Sequence, residues 1–202
     1  VDFQEVLNSK IYVDKSELIQ YTNSVLRTTQ KYICVSRPRR FGKSMAANML
    51  TAYYSRGCDS REMFQGLKIA KHTDFEKHLN QYNVIHLNMR DYLTESENMK
   101  QLIQFVEEDL LDELQQEFAD LRMPRRRTLV KVLEQAFAQY KIPFVFIIDE
   151  WDCIFRVHKS DAASQKTYLD FLRNLLKDKS CIALAYMTGI LPIKKYGEHS
   201  AI

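Results

Sequence analysis

A chain of 202 residues, 46% hydrophobic and 27% charged, is long enough to bury a real core and has the composition of an ordinary soluble globular protein, which excludes disorder as its organising state. Its formal net charge of +3 is nearly balanced, so charge alone argues for neither nucleic acid nor a membrane surface. No apolar run approaches the length that crosses a bilayer, and the first residues, VDFQEVLNSK, lack the basic-then-apolar pattern of a signal peptide, so the cytoplasm is the expected compartment.

In chain order, YVDKSELIQY offers Asp14 or Ser16 as the cap of a helix starting near Lys15. A strand is expected over residues 32–35 and a helix over 44–54. Residues 56–75 carry two of the five glycines and mixed periodicity, and read as a connecting region. A second strand is expected over 84–87, then helices over 98–118 and 128–140, separated by a loop containing MPRRRT. The third strand, 144–148, a helix over 165–176 and a fourth strand over 182–187 complete the series. Strands alternating with helices imply an α/β fold, a mainly parallel central sheet covered on both faces in a three-layer α/β/α sandwich. There is no internal repeat, and one domain spanning 1–202 is the economical reading. The chain starts at Val1 without methionine and stops at Ile202 soon after a strand, so a trimmed piece of a longer protein is expected.

Cys34, Cys58, Cys153 and Cys181 show no CxxC spacing, and none of the five histidines falls at a metal-ligand spacing with them. Reduced, structural thiols are therefore expected, and a zinc site is not. Tyr53, Tyr54, Phe105 and Phe137 recur at helical spacing among apolar residues and read as core.

Three stretches carry chemistry. SRPRRFGKSM places Gly42, Lys43 and Ser44 between a strand and a helix, the context of a phosphate-binding loop, although Arg37 stands where the template G-x-x-x-x-G-K-[ST] opens with glycine. Arg37 does not adopt a positive φ cheaply, so the mouth of the loop is expected to depart from the common form, with Pro38 fixing the turn and Arg39 and Arg40 adding positive charge. The competing reading is a basic surface turn ahead of a helix. The second stretch, PFVFIIDEWD, empties an apolar strand into Asp149 and Glu150 at the carboxyl end of a parallel sheet, where ligands bind. In this arrangement Lys43 bridges phosphates, Ser44 ligates Mg2+, Asp149 supports that metal through water, and Glu150 orients and deprotonates a water. A capped turn after a strand is the structural alternative. The third stretch, IALAYMTG, ends in Thr188, which is either a sensor facing the terminal phosphate or a plain strand-end threonine.

Together YVDKS, SRPRRFGKSM, IIDEWD and TGILPIKK resemble the AAA-ATPase-like domain family of mostly bacterial proteins, related to AAA+ and STAND-type NTPases. The resemblance covers nearly the whole chain, and RPRRFGKS is the family's own version of the loop, so the missing first glycine is a family trait. It implies a P-loop NTPase that binds ATP and Mg2+ through Arg37, Pro38, Arg39, Arg40, Phe41, Gly42, Lys43, Ser44 and Met45, with Ser44 and Asp149 at the metal and Glu150, Lys43 and Thr188 in catalysis. Trp151 replaces the tyrosine of the family's DEYD, a conservative change. Asp152 is expected either to buttress the metal or an arginine, or to cap a helix; Asp14 and Lys15 either approach the base or serve as cap and surface charge. Members often continue into a helical lid and a PD-(D/E)XK nuclease-like domain, so the implied partners are ATP, such an effector domain and further copies of the chain. Arg156, Arg173 and the run Arg125, Arg126, Arg127 are available as an arginine finger or read as exposed or salt-bridged arginines, and no spacing selects one; for the MPRRRT loop alone, contact with nucleic-acid phosphates is a further reading.

The function implied is Mg-ATP hydrolysis coupled to an attached effector. The alternative is a nucleotide-gated switch with negligible turnover, and a small-molecule kinase is a third reading disfavoured by the adjacent acids.

Overall fold

Four apolar runs become strands: β1 (Tyr32–Ser36), β2 (Asn83–Asn88), β3 (Phe144–Asp149) and β4 (Ile182–Gly189). The structure is a computed structural model, and it describes residues 2–9 and 11–191. All neighbouring strands pair in parallel, in the order β1-β4-β3-β2. β4 therefore lies between the strand that enters the GKS loop and the strand that ends in the acids. β3 and β4 are buried along their whole length, as central strands of a parallel sheet must be.

Side chains of β3 alternate between two cores. Phe144, Phe146 and Ile148 face one cluster, and Val145 and Ile147 face the other. A register shift beside Phe144 and Val145 puts both Ala183 and Leu184 of β4 on the second side. The first face is covered by α6 (Met89–Glu95), α7 (Met99–Glu117), α8 (Leu129–Tyr140) and α10 (Ala162–Leu176). The second is covered by α1 (Asp2–Leu7), α2 (Glu17–Val25) and α3 (Lys43–Tyr54), with the segment between α3 and β2 packed beneath. The result is the three-layer α/β/α arrangement with an all-parallel sheet.

Helix ends follow local chemistry. Asn98 accepts from the Gln101 N–H at 3.0 Å and starts α7, and Asp161 accepts from the Ser164 N–H at 3.0 Å and starts α10 three residues earlier than periodicity suggests. Neither Asp14 nor Ser16 caps α2 in the expected way: the Ser16 N–H donates to Asp14 Oδ1 at 2.8 Å, while Asp14 Oδ2 and Ser16 Oγ accept the N–H groups of Lys68 and Ile69. These bonds tie the YVDKS segment to a single 3-10 turn, Lys68–Lys71, inside the region that reads as irregular in sequence. That region also holds the one-turn helix α4 (Arg61–Phe64), and α5 (Phe75–His78) begins at its last residue; both are too short for periodicity to reveal.

The four cysteines are free thiols, with Cys153 and Cys181 buried. Tyr53 and Tyr54 are fully buried, as their spacing predicts, whereas Phe105 and Phe137 are only partly buried. MPRRRT lies in a loop with Arg125, Arg126 and Arg127 exposed. Among the described residues no helix is long and apolar enough to cross a membrane.

Candidate functional site

The loop between β1 and α3 opens without strain at the arginine that departs from the glycine template. The Arg37 N–H donates to the Gly189 carbonyl at 3.1 Å and extends the β1-β4 ladder by one residue. The left-handed positions are instead Arg40, φ 68°, and Gly42, φ 74°. The expected departure from the common loop therefore sits three residues later than Arg37, and the non-glycine penalty of about 1–2 kcal/mol falls on Arg40. Gly42 is the N-cap of α3, and the absence of a side chain there leaves the helix N-terminus open to an approaching anion. Arg37, Pro38, Arg39 and Arg40 are exposed around it.

Lys43 is buried, and its ammonium Nζ donates back to the Pro38 carbonyl at 3.0 Å, so the lysine is folded over its own loop with an oxygen in front of it. Ser44 Oγ donates to Asp149 Oδ2 at 2.5 Å. The other carboxylate oxygen, Oδ1, accepts from the Thr188 hydroxyl and from the Glu150 N–H, the latter at 2.9 Å. Strand order explains the meeting of Ser44, Asp149 and Thr188: β4 lies beside β3, so Thr188 and Asp149 reach the same carboxyl end of the sheet, where α3 begins. Asp149 and Thr188 are both buried, whereas Ser44 is exposed at the rim.

Glu150 follows with φ 53°, a left-handed turn that lets the chain reverse into α9 (Cys153–Val157). Its carboxylate is engaged by the Arg156 guanidinium, and both side chains are half-buried. Trp151 is fully buried; its backbone N–H donates to the Thr188 carbonyl at 3.1 Å, and its backbone carbonyl accepts from the Tyr168 hydroxyl at 2.9 Å, so main-chain bonds hold the turn while the indole packs in the core. Asp152 is fully buried as well, and its Oδ2 accepts the N–H groups of Ile190 at 2.9 Å and Leu191 at 2.7 Å. Asp152 stands at the N-cap position of α9 without a side-chain cap bond; its carboxylate instead clamps the segment after β4, a role outside the two expected, with Arg156 Nε 3.5 Å away. The rest of TGILPIKK, from Pro192 to Lys195, lies outside the described residues.

Two hollows flank the loop. On the Asp149 side a cleft of about 550 Å³ is lined by Ser44, Asn48, His86, Asn88, Tyr92 and four carboxylates, those of Asp91, Glu95, Asp109 and Asp149. Burial, then a hydrogen bond with Asp109, pushes the Tyr92 phenol up. This much acid favours a cation and repels a further anion. On the other side a small hollow of about 20 Å³ is lined by Tyr12, Val13, Lys15, Gly42 and Met45. Lys15 Nζ donates to the Phe41 carbonyl at 3.1 Å, which joins the YVDKS segment to the loop, while Asp14 is held against Lys68. Phe41, Met45 and Val13 are exposed apolar residues in this neighbourhood. Sequence reasoning missed the pairing of Glu150 with Arg156 and that of Lys15 with the loop, because neither has a local signature.

No group of three or more His, Cys, Asp and Glu side chains among the described residues is arranged to hold a metal. What the structure brings together is the Asp149 carboxylate and the hydroxyls of Ser44 and Thr188, all-oxygen and beside the loop that precedes α3. That donor set fits Mg2+, which takes few protein ligands and keeps its waters.

A family model described as AAA-ATPase_like, predicted AAA-ATPase, matches residues 1–197. No curated protein matches the chain.

Proposed function

Because the chain belongs to the AAA-ATPase-like family, we propose that it binds ATP at residues 37–45, hydrolyses it with Mg2+ and passes the resulting change to an attached effector domain or to an assembly of copies. The observation that carries this reading is the hydrogen-bonded unit of Ser44, Asp149 and Thr188 beside the open N-terminus of α3. A basic surface turn would have no reason to aim its serine at a buried carboxylate 105 residues away.

Each residue has a part in the proposal. Gly42 and the first N–H groups of α3 receive the phosphates, and Lys43 exchanges the Pro38 carbonyl for phosphate oxygens. Ser44 and Asp149 would hold Mg2+, the serine through its hydroxyl, while Thr188 and the Glu150 N–H fix the other Asp149 oxygen. When bound, the metal neutralises charge on the terminal phosphates. Glu150 takes the proton of the attacking water once its carboxylate is released from Arg156. Tyr12, Val13 and Met45 offer the apolar surface nearest the loop for the base. Asp152 stays a structural clamp. Arg173 and the Arg125–Arg127 run have no assigned role.

The test is a pair of variants. Lys43→Ala is expected to lose binding of a fluorescent ATP analogue by roughly 10- to 100-fold, since one charge-assisted hydrogen bond is worth about 1.5–3 kcal/mol. Glu150→Gln is expected to bind normally and release no phosphate. Normal turnover by Glu150→Gln would remove Glu150 as the base.

A second reading, a nucleotide-gated switch with negligible turnover, is favoured by one observation: Glu150 is engaged by Arg156 rather than free. ATP-dependent assembly in size-exclusion chromatography without phosphate release would select it.

A further inference from the structure

The Glu150 carboxylate lies in an ion pair with Arg156, a residue of the short helix that follows it, and the two side chains are each about one-fifth exposed. The guanidinium engages one carboxylate oxygen, Oε2, and so fixes the orientation of a group that must turn toward a water to take its proton. The same guanidinium has a second neighbour. Its Nε stands 3.5 Å from Asp152 Oδ2, beyond a good hydrogen bond, and this buried Nε has no hydrogen-bond acceptor. Asp152 Oδ1, also buried, has no donor. An unmet donor and an unmet acceptor thus belong to two side chains already in contact, and each is unfavourable where it stands.

We propose that Arg156 is a positioning residue with two seats: it locks Glu150 in the nucleotide-free protein and shifts onto Asp152 when Glu150 is released for catalysis. The proposal rests on Glu150 being the base in the reading above. The second seat is rigid, because Asp152 Oδ2 is clamped by the N–H groups of Ile190 and Leu191 and its Oδ1 is the open acceptor. The residues that clamp it directly follow Thr188 and Gly189, and Thr188 bonds Asp149. The metal carboxylate and the lock are therefore attached to one strand end, so a rearrangement at Asp149 bears on both. Among the described residues the charged groups paired with Arg156 are Glu150 and Asp152. Losing the first leaves the second, so the arginine is never without a partner, and the shift between seats has two defined end states.

Arg156→Gln removes the lock. Phosphate release at saturating ATP is expected to rise on the order of fivefold, with the affinity for a fluorescent ATP analogue changed less than twofold, since the change is in the base and not in binding. The Glu150→Gln/Arg156→Gln double variant is expected to be as inactive as Glu150→Gln, which places the gain in Glu150. A fall in phosphate release in Arg156→Gln overturns the proposal in favour of an arginine acting on the phosphates, and an unchanged rate overturns it as well. A double-mutant cycle on urea unfolding, using the same two substitutions, reads the lock without any turnover. Without nucleotide a coupling of about tenfold in the unfolding constant is expected, falling below twofold with saturating Mg2+ and a non-hydrolysable ATP analogue. No coupling without nucleotide overturns the lock, and coupling that persists with nucleotide overturns the second seat. Wild-type protein that binds ATP yet releases no phosphate would sink the hydrolysis reading, while the cycle would still decide the lock.

Discussion

Gly189→Ala tests how tightly the end of β4 is packed against the acidic turn. An ideal Cβ at Gly189 would stand 2.7 Å from Asp152 Oδ1, 2.8 Å from Asp152 Cγ and 2.8 Å from Trp151 Nε1. Gly189 does not occupy the left-handed region, so the penalty is steric and not conformational. Neither neighbour can retreat easily, because Trp151 and Asp152 are both fully buried and Asp152 is held by two N–H groups. Overpacking of this kind costs about 1–3 kcal/mol. Stretching a hydrogen bond to a buried carboxylate adds a further part of the roughly 1.5–3 kcal/mol that such a bond is worth. The expected loss is about 2–4 kcal/mol, or a Tm lower by about 4–16 °C for a chain of this size. Urea unfolding followed by the fluorescence of the single tryptophan reads the change at the point of contact, with circular dichroism as an independent probe. Gly66→Ala is the control: nothing lies within 4 Å of its added Cβ, and it should move stability by less than about 0.5 kcal/mol. A Gly189→Ala protein as stable as that control would refute the close approach on which this reasoning depends.

Three further outcomes follow from particular groups. Thr188→Val keeps the shape but removes the hydroxyl donated to Asp149, and should lower phosphate release by roughly tenfold or more, as loss of about 1.5–3 kcal/mol of a charge-assisted bond implies, with a smaller effect on ATP affinity. Burial pushes the thiols of Cys34 and Cys181 up to about 11 and that of Cys153 up to about 12 from an ordinary 9.0. Because the unfolded thiols ionise first, their contribution is fully present below pH 9 and is lost as pH rises through 11 and 12, so the urea midpoint should fall steadily above pH 9. A flat midpoint from pH 8.5 to 10.5 would contradict this. Lys141, the C-cap of α8, holds φ 62°, and Lys141→Gly should stabilise the protein by about 0.5–1 kcal/mol in urea unfolding, since glycine adopts that conformation without a Cβ penalty.

How much of this could be seen in the sequence depended on whether the feature was local. The strand, GKS and helix are contiguous, and each has a signature of a few residues, so the loop and the order of elements were legible directly. The apolar run before Asp149 and Glu150 likewise marked its own end. The short α1, α5, α6 and α9 carry too few turns for a periodic signal, and α4 lies inside a stretch that reads as connecting. The loop's glycine deficit was legible, but its consequence was not: Arg37 simply extends the β1-β4 ladder, and the left-handed residue is Arg40.

The sequence by itself determined an α/β chain with a phosphate-type loop, a carboxylate pair after a buried strand and a threonine closing the last strand. Only the tertiary structure decided that β4 sits between β1 and β3, which puts Thr188 on Asp149 and the Gly189 carbonyl on the Arg37 N–H. It also decided that Arg156, and not another of the available arginines, holds Glu150, and that Lys15 closes on the loop while Asp14 is spent on Lys68. The physical reason is range. Hydrophobic periodicity and turn chemistry act over a few residues and specify elements. The partners of Asp149 wait for elements brought together from 39 to 105 positions apart, and even the pairing of Glu150 with Arg156, six positions on, depends on how the turn after β3 is packed.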